Sequence, residues 1–296
     1  ALAVVLIMTL SELLRQTGAL EAMVEGLQAL VANGRIVIAA LPALVGLLPM
    51  VGGAVFSAPL VDAVGDRLGV DGTRKTFVNY WFRHLWEPIF PFYPAVLLAA
   101  ALLGLTTAQL ARATWPLTMA ALAGGLLFGL LKLPRRGAND PPRPPRLQSL
   151  RRLATGIWPI LLVILLSLLL PVDERARLLI GLSLVITLTM AVRRVPLRDL
   201  GTILRRRVPW KTVVVIFSAL LFRRVLDSGG VIRDTSAALI ALRVPIPLVA
   251  FTAPFIIGLL TGVIAAAYSI GFPVVLPLIL ADGGRLTWGW IAWVMA

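Results

Sequence analysis

Apolar residues in this chain fall in long, nearly unbroken runs rather than in strict alternation with polar ones. Runs over about 88–105, 115–131, 153–171, 178–192 and 211–226 are long enough to cross roughly 30 Å of hydrocarbon as helices. A membrane barrel would alternate lipid-facing and lumen-facing positions, so the pattern predicts an all-α polytopic membrane protein. Two further apolar stretches are interrupted. "LPALVGLLPMVGGAVFSAPLVD" (41–62) and "APFIIGLLTGVIAAAYSIGFPVVLP" (253–277) each carry two apolar arms around a centre of glycine, proline and serine. Each reads as a re-entrant helical hairpin, over about 36–66 and 247–280. The alternative is a kinked spanning helix with small residues packed on its neighbours. Upstream, "GALEAMVEGLQALVANG" and "GGVIRDTSAALIALRV" read as amphipathic helices lying along the interface.

The two broken stretches are related. An ungapped offset of 212 residues aligns 14–57 with 226–269, pairing Gly18 with Gly230 and Pro42 with Pro254. It also pairs Gly46, Leu47 and Leu48 with Gly258, Leu259 and Leu260, and Ser57 with Ser269, while Phe56 faces Tyr268. Leu and Ala identities are cheap in such a composition; the coincidence of Pro, Gly and Ser without a gap is not. Five crossings between the copies would invert one relative to the other, an arrangement that points to a transporter's central site. The expected organisation is a first repeat over 1–133, a basic linker over 134–152 and a second repeat over 153–296 that ends with the start of a last span.

Charge refines the topology. The segment 132–152 carries seven Lys or Arg and one Asp, and 193–211 is again strongly basic, so both are placed in the cytoplasm. The formal charge of +14 therefore reads as a topology signal at an inner (cytoplasmic) membrane, and no nucleic-acid partner is expected. The chain has 296 residues, 59% hydrophobic, with a mean hydropathy of +0.92. It begins without Met inside one apolar run and stops inside another, which reads as a fragment or processed chain with no cleavable signal peptide.

With no cysteine and one histidine, thiol nucleophiles and zinc clusters are unavailable, so no metal site, cofactor or enzyme activity is expected. The chemistry that remains belongs to the broken stretches. Gly52, Gly53 and Gly262 would let backbone approach a ligand closely, and helix N-termini at the tips would favour an anion. Ser57, Thr261, Ser269 and Tyr268 supply hydroxyls for an anion or for Na⁺. In "NYWFRHLWEPIFPFYP" (79–94), Asn79, Arg83 and Glu87 recur every four residues, so a helix would align them on one face with His84 beside them. Arg83 could attract an anion and His84 or Glu87 handle a proton; an interfacial aromatic belt with a local ion pair is the plainer reading. Asp62 and Asp66 read as solvated just past the first hairpin.

Together, "LLPMVGGAVFSAPLVD" and "FVNYWFRHLWEPIFPFYP" resemble the prokaryotic membrane family called domain of unknown function family 401. More broadly the features resemble the ion transporter superfamily of anion permeases. That resemblance implies a scaffold and a moving transport domain, with substrate, and often sodium, held between two hairpin tips, where Gly52, Gly53, Ser57, Thr261 and Ser269 fall. The dicarboxylate branch carries Ser-Asn-Thr at its tips; this chain reads "FSAP" and "YSIG" there. The expected function is secondary active transport of a small organic or inorganic anion, with Na⁺ or H⁺ as candidate coupling ions and a homodimer as a candidate assembly. A lipid-carrier or envelope-lipid translocase is the alternative.

Overall fold

A computed structural model describes residues 2–50, 53–135, 144–231, 234, 238, 241–242 and 246–261. Every regular element among them is a helix. In chain order these are α1 (Leu2–Gln16), α2 (Ala19–Leu30), α3 (Gly34–Gly46), α4 (Gly53–Arg67), α5 (Gly72–Arg83), α6 (Pro94–Leu103) and α7 (Thr107–Gly124). There follow α8 (Arg146–Leu169), α9 (Glu174–Arg193), α10 (Leu197–Thr202), α11 (Trp210–Ser228) and α12 (Ile246–Thr261). Helix α7 runs on into a π-helical segment, Gly125–Leu130, and α10 into another, Ile203–Arg207.

Among the described residues, Thr107–Leu130, Arg146–Ser167 and Ala176–Arg193 are long and apolar enough to cross a membrane. Helices α1 and α2 together also qualify, as a span or re-entrant loop broken by a 64° bend. The bend is local chemistry: Gly18 takes φ 69°, a left-handed conformation that an L side chain resists.

Three expectations from the sequence change. The run 88–105 is helical only from Pro94, because Pro88, Pro91 and Pro94 remove amide donors and push the residues before them out of the α region. The basic segment 146–152 belongs to α8 rather than to a linker. The segment after Gly18 packs along α8, with Ala19, Leu20 and Met23 fully buried. A Cβ on Gly26 would lie 2.5 Å from the Leu153 amide nitrogen, and one on Gly156 would meet the Ala19 carbonyl, so both glycines permit the approach.

The chain divides into two units: Leu2–Trp86 with Ala120–Pro209, and Glu87–Met119 with Trp210–Ala296. The described part of the first broken stretch lies in the former, and residues 253–261 of the second, on α12, in the latter. Local geometry recurs at the 212-residue offset. Helix α1 ends at Gln16 and α11 at Ser228, and Gly18 has φ 69° and Gly230 φ 72°. Pro42 and Pro254 lie inside α3 and α12.

Candidate functional site

The first break follows from its residues. Helix α3 ends at Gly46 because Pro49 cannot donate an amide and restricts Leu48; Gly53 is the first residue of α4. Asp71 accepts from the Arg74 amide and starts α5, which packs against both α3 and α4. The core beneath is apolar, with Ile38, Leu41, Val61, Val78 and Phe82 at 2% exposure or less.

Three sequence-predicted residues meet at this junction. The Ser57 hydroxyl lies 2.5 Å from Asn79 Oδ1 and donates to it, and Asn79 Nδ2 donates to the Ala54 carbonyl at 2.8 Å. One turn along α5, Arg83 Nη2 donates to the Leu48 carbonyl at 3.2 Å, where the chain leaves α3. All three are buried, with Ser57 at 0%, Arg83 at 3% and Asn79 at 9% exposure. A Cβ on Gly53 would lie 2.7 Å from Arg83 Cζ, so the guanidinium rests directly against the start of α4. Gly46 is just as constrained: a Cβ there would stand 2.5 Å from the Arg83 carbonyl oxygen. Trp86 Nε1 donates to the Ala43 carbonyl at 2.8 Å and fixes the chain beyond α5.

The electrostatics are unusual. A buried guanidinium carries a heavy desolvation penalty, and the amino end of α4 presents partial positive charge to it. The Leu48 carbonyl, which accepts from Nη2, offsets part of that cost. The Ser57 hydroxyl has three acceptors within reach, Asn79 Oδ1 the nearest and the Gly53 and Ala54 carbonyls at 3.1 and 3.3 Å.

The remaining predicted residues are dispersed. Glu87 lies beyond the end of α5, so the helical face expected to carry Asn79, Arg83 and Glu87 stops at Arg83, and Glu87 falls in the other unit. His84 caps α5; its Nδ1–H donates to the Tyr80 carbonyl at 2.7 Å, since a carbonyl only accepts, and the two rings lie 4.3 Å apart. Thr261 is the last residue of α12. Gly52, Gly262, Tyr268 and Ser269 lie outside the described residues.

Asp62 and Asp66 are exposed yet not simply solvated. They sit on α4, and both accept from Lys75 Nζ on α5, at 2.5 and 2.6 Å. Hydrogen bonding to Asp62, and next to Asp66, raises the Lys75 ammonium above the ordinary lysine value. Two carboxylates at i and i+4 were a legible sign of a shared cation partner. Gly46 was present in the repeat alignment, but its steric role depends on where α5 ends.

The family model described as Protein of unknown function (DUF401) matches residues 1–284. No curated protein and no solved structure matches the chain.

Proposed function

The chain belongs to the DUF401 family, and from that premise we propose that it is a multi-pass secondary transporter of the inner membrane. On this reading it moves a small organic or inorganic anion by alternating access, coupled to Na⁺ or H⁺. It would share the two-hairpin, inverted-repeat architecture of the ion transporter superfamily, with substrate held between the two broken stretches. The observation that carries the reading is the buried Arg83 guanidinium against the glycine start of α4. A guanidinium and the amide donors at a helix amino end are both groups that bind anions, and here they lie against one another. Three helices among the described residues apolar enough to span, and left-handed glycines at the equivalent positions 18 and 230, support the transporter class.

The test is a thermal-shift series on the purified full chain with carboxylates, inorganic phosphate and other oxyanions, in sodium and in potassium. One anion class should raise Tm in the wild type and lose that effect in Arg83→Gln. Equal shifts in both proteins would remove Arg83 from the site. A shift present only in sodium would identify the coupling ion.

A further inference from the structure

A second basic feature lies away from Arg83. The segments 146–152 and 193–207 contain nine arginines and one aspartate. The fold brings them to one end of their unit. Arg193, the last residue of α9, donates to the Thr155 carbonyl on α8 at 2.5 Å; α10 and its π-helical continuation follow directly, and that continuation packs on α1. Arg194 is the one non-glycine residue among those described with positive φ, at 55°. It occupies the position after α9 where the Val195 amide reaches back to the Met190 carbonyl at 2.9 Å, a helix end that glycine fills without strain. Topological bias asks only for basic residues somewhere in such a loop. It does not ask for one at a strained position. The Arg194 side chain is exposed and makes no ion pair or hydrogen bond among the described residues.

Beside it, Leu197 is 80% exposed, and Arg198, its neighbour on α10, is 87% exposed with only a 3.7 Å approach to Asp199. Leu147, on the first turn of α8, is 79% exposed. Exposed leucines interleaved with exposed arginines suit the boundary between headgroups and acyl chains, where each residue type meets its own medium. Free phosphate would use the arginines and leave the leucines in water.

We propose that this end of the unit is a binding surface for anionic phospholipid, in which Arg194 and Arg198 hold the headgroup phosphate and Leu197 enters the acyl boundary. The strain at Arg194 is the backbone consequence of putting a guanidinium there. The surface is independent of the anion transport proposed for Arg83.

The experiment is native mass spectrometry of the purified full chain in detergent, titrated with phosphatidylglycerol or with phosphatidylcholine, alongside Tm measured without lipid. The wild type should retain phosphatidylglycerol in preference to phosphatidylcholine. Arg194→Gly and Arg198→Gln should each weaken that binding roughly fivefold. Lipid-free Tm should be equal or higher in Arg194→Gly, because glycine relieves the strained φ, and unchanged in Arg198→Gln. Wild-type lipid retention in both variants would overturn the proposal, as would equal binding of the zwitterionic lipid. A lipid-free Tm that falls in step with binding would make Arg194 structural. Displacement of the lipid by millimolar inorganic phosphate, or by a short single-stranded RNA, would reassign the surface to free anions or nucleic acid.

Discussion

Helix pairs α2–α8 and α4–α5 lie in the same unit and are held in different ways. The first is a close approach of backbones, made by Gly26 and Gly156 over Ala19, Leu20 and Met23, with one exposed ion pair between Glu25 and Arg152 at its margin. The second adds polar links to the apolar packing of Val61, Val78 and Phe82: Ser57 to Asn79 in the interior, and Lys75 to Asp62 and Asp66 at the surface. Close packing is lost all at once when it is disturbed, since dispersion falls steeply with separation. Hydrogen bonds can be exchanged for bonds to another partner. The difference teaches that α2–α8 depends on the closeness of its backbones, while α4–α5 adds specific hydrogen bonds and ion pairs to its apolar contacts.

The largest effect should come from filling the close contact. Gly156→Val would drive a branched side chain into the Ala19 carbonyl and to within about van der Waals overlap of the Met23 amide; a loss of about 3 kcal/mol is expected, read as a fall in Tm or in the yield of folded protein. If Tm were unchanged, the backbones would not be as close as described. Next is Arg83→Gln, which should weaken anion binding at least tenfold, the scale of a hydrogen bond to a charged group, when measured by titration calorimetry. Smaller again is the interior link. Ser57→Ala and Asn79→Ala should each destabilise by about 1 kcal/mol, and because the two side chains share one hydrogen bond, the double variant should be milder than the sum of the singles. Strict additivity would separate their roles.

The smallest effect belongs to the surface cluster. Lys75→Met should lower Tm only slightly, because exposed ion pairs are screened. Its pH dependence has a definite sign. Bonding to Asp62 and Asp66 raises Lys75 in the folded state, so its contribution is complete below the ordinary lysine value. That contribution is lost as pH rises through the higher folded value. The wild type and Lys75→Met should therefore converge in Tm only at strongly alkaline pH.

Much of this was legible in the residues. The apolar runs located α7, α8, α9 and α11 to within a turn or so at most ends, because length and apolarity alone define such helices. The interruption at Gly46 and Pro49 was readable from backbone chemistry, and the four-residue spacing of Asn79 and Arg83 put both on one buried face. Glu87 was misplaced because spacing cannot see where a helix stops; "WEPIFPFYP" holds three prolines, and α5 ends before the first of them. Close approaches were out of reach for a further reason. A glycine in sequence reports freedom, whereas Gly26 and Gly156 matter for what stands opposite them, and that is a property of the packed pair.

Gly46 carries one more consequence, for how this protein can vary. The Arg83 carbonyl stands where any side chain on residue 46 would begin, so even alanine demands that backbone shift. Every amino acid reachable from a glycine codon by one base change carries a Cβ. At position 46 the only changes that leave the junction untouched are therefore the synonymous ones, and the approach of α3 to the end of α5 is written in a codon rather than in a choice among similar residues.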